Sequence, residues 1–209
     1  MVLKNIAKIV KAHGSLQLWD GPCGQWIGDF AAAYCLGGMP ELDELTAPLI
    51  LDLTAKDLEK IEVKHYDGLP ARLDFSDITE KDSSIPNPRI RVMENGHELL
   101  IVDSGEGYQL IDPDYLRPLK DIRDGLEWYE RRSADGQIYF AAACGWVLCA
   151  IIMPVDLTMH EGLPEVLEGL AGGLRRGIKA AKERAAESGE GAGDKKQLVI
   201  DPETGEVKE

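Results

Sequence analysis

The chain has 209 residues, of which 37 are acidic and 23 basic, for a formal net charge of −14; 44% are apolar and 6% aromatic. That length holds one large domain or two small ones, and the balance is that of a folded protein with an acidic exterior. It excludes a chain coated in positive charge to grip nucleic acid, which needs clustered Lys and Arg, so any DNA-facing surface must be local.

Over residues 2–13, Val2, Ile6, Ile9 and Val10 share one face at helical spacing, and Gly14 supplies the stop expected just past a helix. The runs SLQLWD, GQWIGDF and AAAYCL follow, separated by GPCG and ended by GGMP, as in a small antiparallel meander. LILDL at 49–53 reads as a strand. Thr54 with Asp57 then caps a short helix, AKDLEKIE. Residues 62–88 mix Asp, Ser, Pro and charge and read as a connector or insertion, with LDF at 73–75 as its only strand.

RIRVM and ELLIV flank Asn95-Gly96, the strongest short hairpin signal because both turn residues tolerate positive φ. YQLI then runs into Asp112-Pro113, an N-cap and first-turn pair opening the helix DPDYLRPLKDIR, which Pro118 should kink or shorten. LEWYERR, QIYFAAA and WVLCAIIMPV complete three strands joined at Asp135-Gly136 and Cys144-Gly145. A glycine-interrupted helix is expected over 158–187, then a flexible tail over 188–209 with a hairpin around PETG.

The apolar run from Ile138 to Val155 is broken by Gly145 and closed by Pro154, so it falls short of the roughly 18 continuous apolar residues of a membrane helix. The N-terminus spreads its lysines through an apolar pattern, unlike a signal peptide. Cys23, Cys35, Cys144 and Cys149 lack the spacing of zinc or redox motifs and read as buried thiols in a cytoplasmic protein. No phosphate-cradling loop, paired histidines or nucleophile motif is present. The expectation is therefore of no catalytic residue, metal or cofactor.

What the helices show to solvent carries more information. Lys4, Lys8 and Lys11 recur at four and three residues opposite the apolar face of the first helix. Lys56 and Lys60 repeat that spacing in the second, and Arg117 and Lys120 lie away from Tyr115, Leu119 and Ile122 in the third. The plain alternative is that these are ordinary solvated faces, since Asp57, Asp121 and Asp124 dilute them. A segregated basic surface could follow a phosphate backbone without reading its sequence.

In LILDLTAKDLEKI at 49–61, QLIDPDYLRPLKDI at 109–122 and QIYFAAACGWVLCAIIMPVDL at 137–157, the chain resembles the bacterial DNA sliding clamp, the β subunit of DNA polymerase III. The resemblance implies an α+β fold of clamp-like antiparallel sheets with short helices packed on one face. It divides the chain into a first half over 1–61 and a second over 89–157, flanking the 62–88 connector. It also implies that Lys4, Lys8, Lys11, Lys56, Lys60, Arg117 and Lys120 face double-stranded DNA, and that Met153, Pro154 and Leu157 belong to a peptide pocket, although a core strand is the plain alternative there. Asp156 stands where the family has a basic residue, and the chain runs on past Leu157. At this length a ring would need more subunits than the family's dimer, or there is no ring at all.

The leading expectation is thus a non-enzymatic bacterial or phage accessory of replication or repair, a processivity factor that is homo-oligomeric, touches no membrane and works with other replication or repair proteins. The alternative is a protein-interaction module, or a phage or mobile-element factor, with a clamp-like fold and no DNA binding. An enzyme of unrecognised type is the third class.

Overall fold

A computed structural model describes residues 1–156 apart from 89, 95 and 106, and beyond them positions 168, 169, 172, 176, 179, 180, 199, 200, 207 and 208. The chain divides into two units, Met1–Asp156 and Leu157–Glu209. The first is α+β, with mixed sheets and few short helices. In the second, Val199–Ile200 pairs antiparallel with Val207–Lys208. Most of the helix expected over 158–187 and most of the expected tail lie outside the described residues.

Helix α1 (Leu3–His13) buries Ile6, Ala7, Ile9 and Val10, and Gly14 ends it in the left-handed conformation with its N–H on the Val10 carbonyl. Three strands follow, β1 (Ser15–Gly21), β2 (Gly24–Gly28) and β3 (Ala32–Cys35). The short helices α2 (Thr46–Ile50) and α3 (Ala55–Leu58) lead to β4 (Glu62–Tyr66) and β5 (Ser83–Ile85). Next come β6 (Ile90–Glu94), β7 (His97–Ser104) and β8 (Gly107–Ile111), then a 3-10 helix (Pro113–Gly125). Strands β9 (Leu126–Arg132), β10 (Ile138–Cys144) and β11 (Val147–Ile152) complete the unit.

One helix followed by three antiparallel strands therefore occurs twice, as α1-β1-β2-β3 and as 3-10 helix-β9-β10-β11. The two meanders meet through the antiparallel pair β3–β11, and β4 and β5 extend the flanks, giving the order β4-β1-β2-β3-β11-β10-β9-β5. All pairs in this sheet are antiparallel except β1–β4. Strands β6, β7 and β8 form a separate three-stranded sheet.

Both faces of the eight-stranded sheet are covered. Leu16, Leu18, Ile27, Tyr34, Phe140 and Ile152 pack on one side with α1, the 3-10 helix and Leu100, Val102 and Ile111 of the small sheet. Trp19, Trp26, Ala33, Tyr139, Ala141 and Ile151 pack on the other, against Leu69, Leu73, Phe75 and Ile78. The segment between β4 and β5 is thus a cover for the second face. Arg131 fastens it, donating to Asp82 and to the carbonyls of Asp74, Ser76 and Asp77.

Four readings of the sequence are corrected. LILDL is no strand: residues 46–50 are helical, and Leu51 and Asp52 turn, Asp52 with a positive φ of 53°. The Asp43 carboxylate accepts the N–H groups of Leu45 and Thr46 at 3.0 and 2.7 Å, starting a turn, and Pro48 lacks the donor that a ladder needs. The helix after Thr54 stops at Leu58, because Glu62 must donate to the Gly14 carbonyl at 2.9 Å as β4 joins β1. LDF at 73–75 is not a strand; it packs side chains on the sheet rather than pairing with it. The helix with Pro118 is neither kinked α-helix nor short, but winds as 3-10 over 13 residues.

Candidate functional site

The first cluster is the helix layer. The backbone N–H of Val2 donates to the Pro118 carbonyl at 2.8 Å, and Asn5 Nδ2 donates to the Arg117 carbonyl at 2.8 Å, so α1 and the 3-10 helix lie side by side. Lys11 Nζ reaches Asp57 Oδ2 at 2.8 Å and ties α3 to α1. The structure places Lys4, Lys8 and Lys11 on α1, Lys56 on α3, and Arg117 and Lys120 on the 3-10 helix, with Lys60 in the turn after α3, all exposed. The apolar sides of α1 and the 3-10 helix, with Ile6, Val10, Tyr115 and Leu119, face the sheet, whereas α3 buries none of its residues.

The surface is not uniformly positive. Lys11 is paired with Asp57, and Arg117 with Asp114 at 2.8 Å. The Lys11 hydrogen bond, then those of the Thr54 backbone and hydroxyl, pull the Asp57 carboxyl down to about 2. Asp57 also closes the capping box with Thr54 that starts α3. Among the described residues Lys4, Lys8, Lys56, Lys60 and Lys120 form no ion pair.

A second cluster joins the two helix-and-meander repeats. His13 at the end of α1 places Nδ1 2.6 Å from Oδ2 of Asp29, in the β2–β3 turn. The Tyr115 hydroxyl, from the first turn of the 3-10 helix, donates to the same oxygen at 2.9 Å and lies 2.9 Å from His13 Nδ1. Asp29 Oδ1 accepts the N–H groups of Ala31 and Ala32 at 2.8 and 2.9 Å, and the residue is 4% exposed. Tyr34 donates to the Tyr115 carbonyl at 2.8 Å. Burial, then the Asp29 charge, raises the Tyr115 hydroxyl well above its ordinary value, and burial raises the Asp112 carboxyl nearby. No nucleophile joins this cluster among these contacts. Its chemistry is that of a charged-acceptor hub that holds three elements together.

A cavity of about 360 Å³ lies on the opposite face of the sheet, under the 67–75 segment. Met153 lines it with Trp19, Phe30, Tyr66 and Phe75. Pro154 is half-buried and does not line it, and Leu157 lies outside the described residues. Sequence reading missed Gln17, Asp29 and Arg72 here: they come from a strand, a turn and a loop far apart in the chain.

Among the described residues, no three or more His, Cys, Asp or Glu side chains gather as metal ligands, and no helix is long and apolar enough to cross a membrane. The four cysteines are free thiols, but not the buried ones expected: Cys23, in the β1–β2 turn, and Cys144, at the end of β10, are exposed, and Cys35 and Cys149 are half-buried. No protein-family model, curated protein or solved structure matches the chain.

Proposed function

We propose that this is a non-enzymatic, clamp-like protein of a bacterium or phage that contacts double-stranded DNA without sequence preference, as an accessory of replication or repair. The observation that carries the reading is the pairing of two helix-and-meander repeats whose helices lie together on one face of a continuous sheet and turn lysines outward. On a chain of net charge −14, such a face keeps attraction local and leaves the remainder of the surface to repel the duplex. Encirclement requires several copies, so the reading includes a closed homo-oligomer in a cytoplasmic setting.

The direct test replaces Lys4, Lys8 and Lys11 by Glu and measures retention on closed circular DNA at low and moderate salt. The wild type is retained and washes off as salt rises; the triple variant is not retained. Equal retention of both proteins removes the reading.

A second reading, a protein-interaction module without DNA binding, is favoured by the apolar outer side of α2, where Leu49 is 75% exposed, and by Leu45 beside it at 79%. It predicts partner capture that Leu45→Glu and Leu49→Glu abolish while the lysine variants retain it.

A further inference from the structure

The cavity on the second face of the sheet has a floor set by one cross-strand row. Gln17 on β1 is opposite Lys64 on one side and Gly28 on the other; Gly28 is opposite Ala33, and Ala33 is opposite Ile151. In the next row Tyr66, Trp19 and Trp26 stand side by side and fill the layer. Glycine and alanine at the centre of the first row leave that depth empty, and the volume is of the size that single small molecules occupy.

The cavity is not merely apolar. Gln17 is 5% exposed, and the sole hydrogen bond of its side chain among the described residues is a long one from Nε2 to Ser15 Oγ at 3.4 Å. Among the described residues its side-chain oxygen has no partner, yet it is not sealed from solvent, and the residue lines the cavity. That oxygen is therefore open to accept a hydrogen bond from a molecule seated in the cavity. The walls are aromatic: Trp19 and Tyr66 stack at 6.2 Å and 13°, Phe75 meets Trp26 edge-on at 4.9 Å, and Phe30 stands 67% exposed at the rim. Arg72 also lines the cavity. It is exposed and in no ion pair among the described residues, with Asp135 within electrostatic reach.

We propose that this cavity binds a nucleoside monophosphate: a flat ring between the aromatic walls, a donor-acceptor edge of the base on the Gln17 amide, and the phosphate on Arg72. A glutamine amide complements the adjacent donor and acceptor of a base edge, and a guanidinium matches a phosphate. A volume of about 360 Å³ suits one such molecule rather than a length of chain. The site is on the sheet face opposite the lysine-bearing helices, so it stands independently of the DNA reading.

The test is calorimetric titration of the full chain with AMP, GMP, CMP and UMP and with the matching nucleosides. At least one monophosphate binds saturably, with one site per chain, and its nucleoside binds about tenfold more weakly. Arg72→Ala, at an exposed position, removes that difference. Gln17→Leu abolishes binding, with thermal unfolding of each variant recorded to verify the fold. Lys4→Glu leaves binding unchanged. Absence of saturable binding by all four monophosphates to the wild type overturns the proposal, as does full affinity in a folded Gln17→Leu variant or an unchanged phosphate preference in Arg72→Ala.

Discussion

Arg131 and Asp82 form a two-point ion pair, Nε to Oδ1 at 2.7 Å and Nη2 to Oδ2 at 3.0 Å, across the buried side of the sheet. The pair is what a cover segment without strand pairing of its own needs: a guanidinium rooted in β9 satisfies three carbonyls of the 74–77 stretch and one carboxylate. Breaking such a buried pair from one side leaves a charge uncompensated, so Asp82→Ala is expected to cost about 3 kcal/mol in urea unfolding. A loss below about 1 kcal/mol would mean that the segment is held by its apolar packing and its other hydrogen bonds, such as that from the Asp74 N–H to the Tyr139 hydroxyl, and not by this pair.

The same pair sets an acid limit. Hydrogen bonds from Arg131 hold the Asp82 carboxyl below its usual range, against the opposing effect of burial. The stabilisation is complete above the unfolded carboxyl value of about 3.9 and disappears as the pH falls through the lower folded value. The stability difference between wild type and Asp82→Asn is therefore constant near neutrality and shrinks below about pH 4. A difference that grows on acidification contradicts this assignment.

Asp29 should be the most sensitive polar position in the helix layer. Asp29→Ala strips acceptors from the Ala31 and Ala32 N–H groups, the Tyr115 hydroxyl and His13, and is expected to cost about 3 kcal/mol. Tyr115→Phe removes one donor to a carboxylate that keeps the others, for about 1 kcal/mol. Urea midpoints in the reverse order would place the hub elsewhere.

Gly28 is fixed by close approach. A Cβ there would meet the Ala32 carbonyl oxygen at 1.9 Å, and backbone on backbone cannot rotate away. Gly28→Ala is expected to lose about 3 kcal/mol or more, read as the shift in urea midpoint; near-wild-type stability would show a β2–β3 corner looser than the one described.

Much of the architecture was legible because the signals were local. Helix α1 carries a clear apolar face closed by Gly14, the apolar runs on either side of the expected hairpin pair as β6 and β7, and Asp112-Pro113 opens the 3-10 helix with the Asp112 side chain on the Asp114 N–H at 2.8 Å. LILDL misled because adjacent leucines carry no period: Leu51 and Leu53 are buried while Leu49 and Ile50 are exposed. The parallel pairing of β4 with β1 depends on residues 47 positions apart, Ser15 with Glu62, and the pattern EVKHY does not announce it. The basic helix faces could be read from spacing, but not the ion pairs of Lys11 and Arg117. The hub and the cavity were invisible for a related reason. His13, Asp29 and Tyr115, like Gln17 and Arg72, become neighbours only once the repeats dock and the cover segment crosses the sheet.

The most direct measurement is the salt dependence of binding to a short DNA duplex. Five lysines without ion pairs among the described residues, Lys4, Lys8, Lys56, Lys60 and Lys120, give a slope of log affinity against log salt of about −4.5 if each neutralises one phosphate. A slope near that value, flattened by about one for each lysine replaced by Gln, is the expected result. Absence of binding at low salt, or a slope that the lysine variants leave unchanged, contradicts a DNA-facing helix layer.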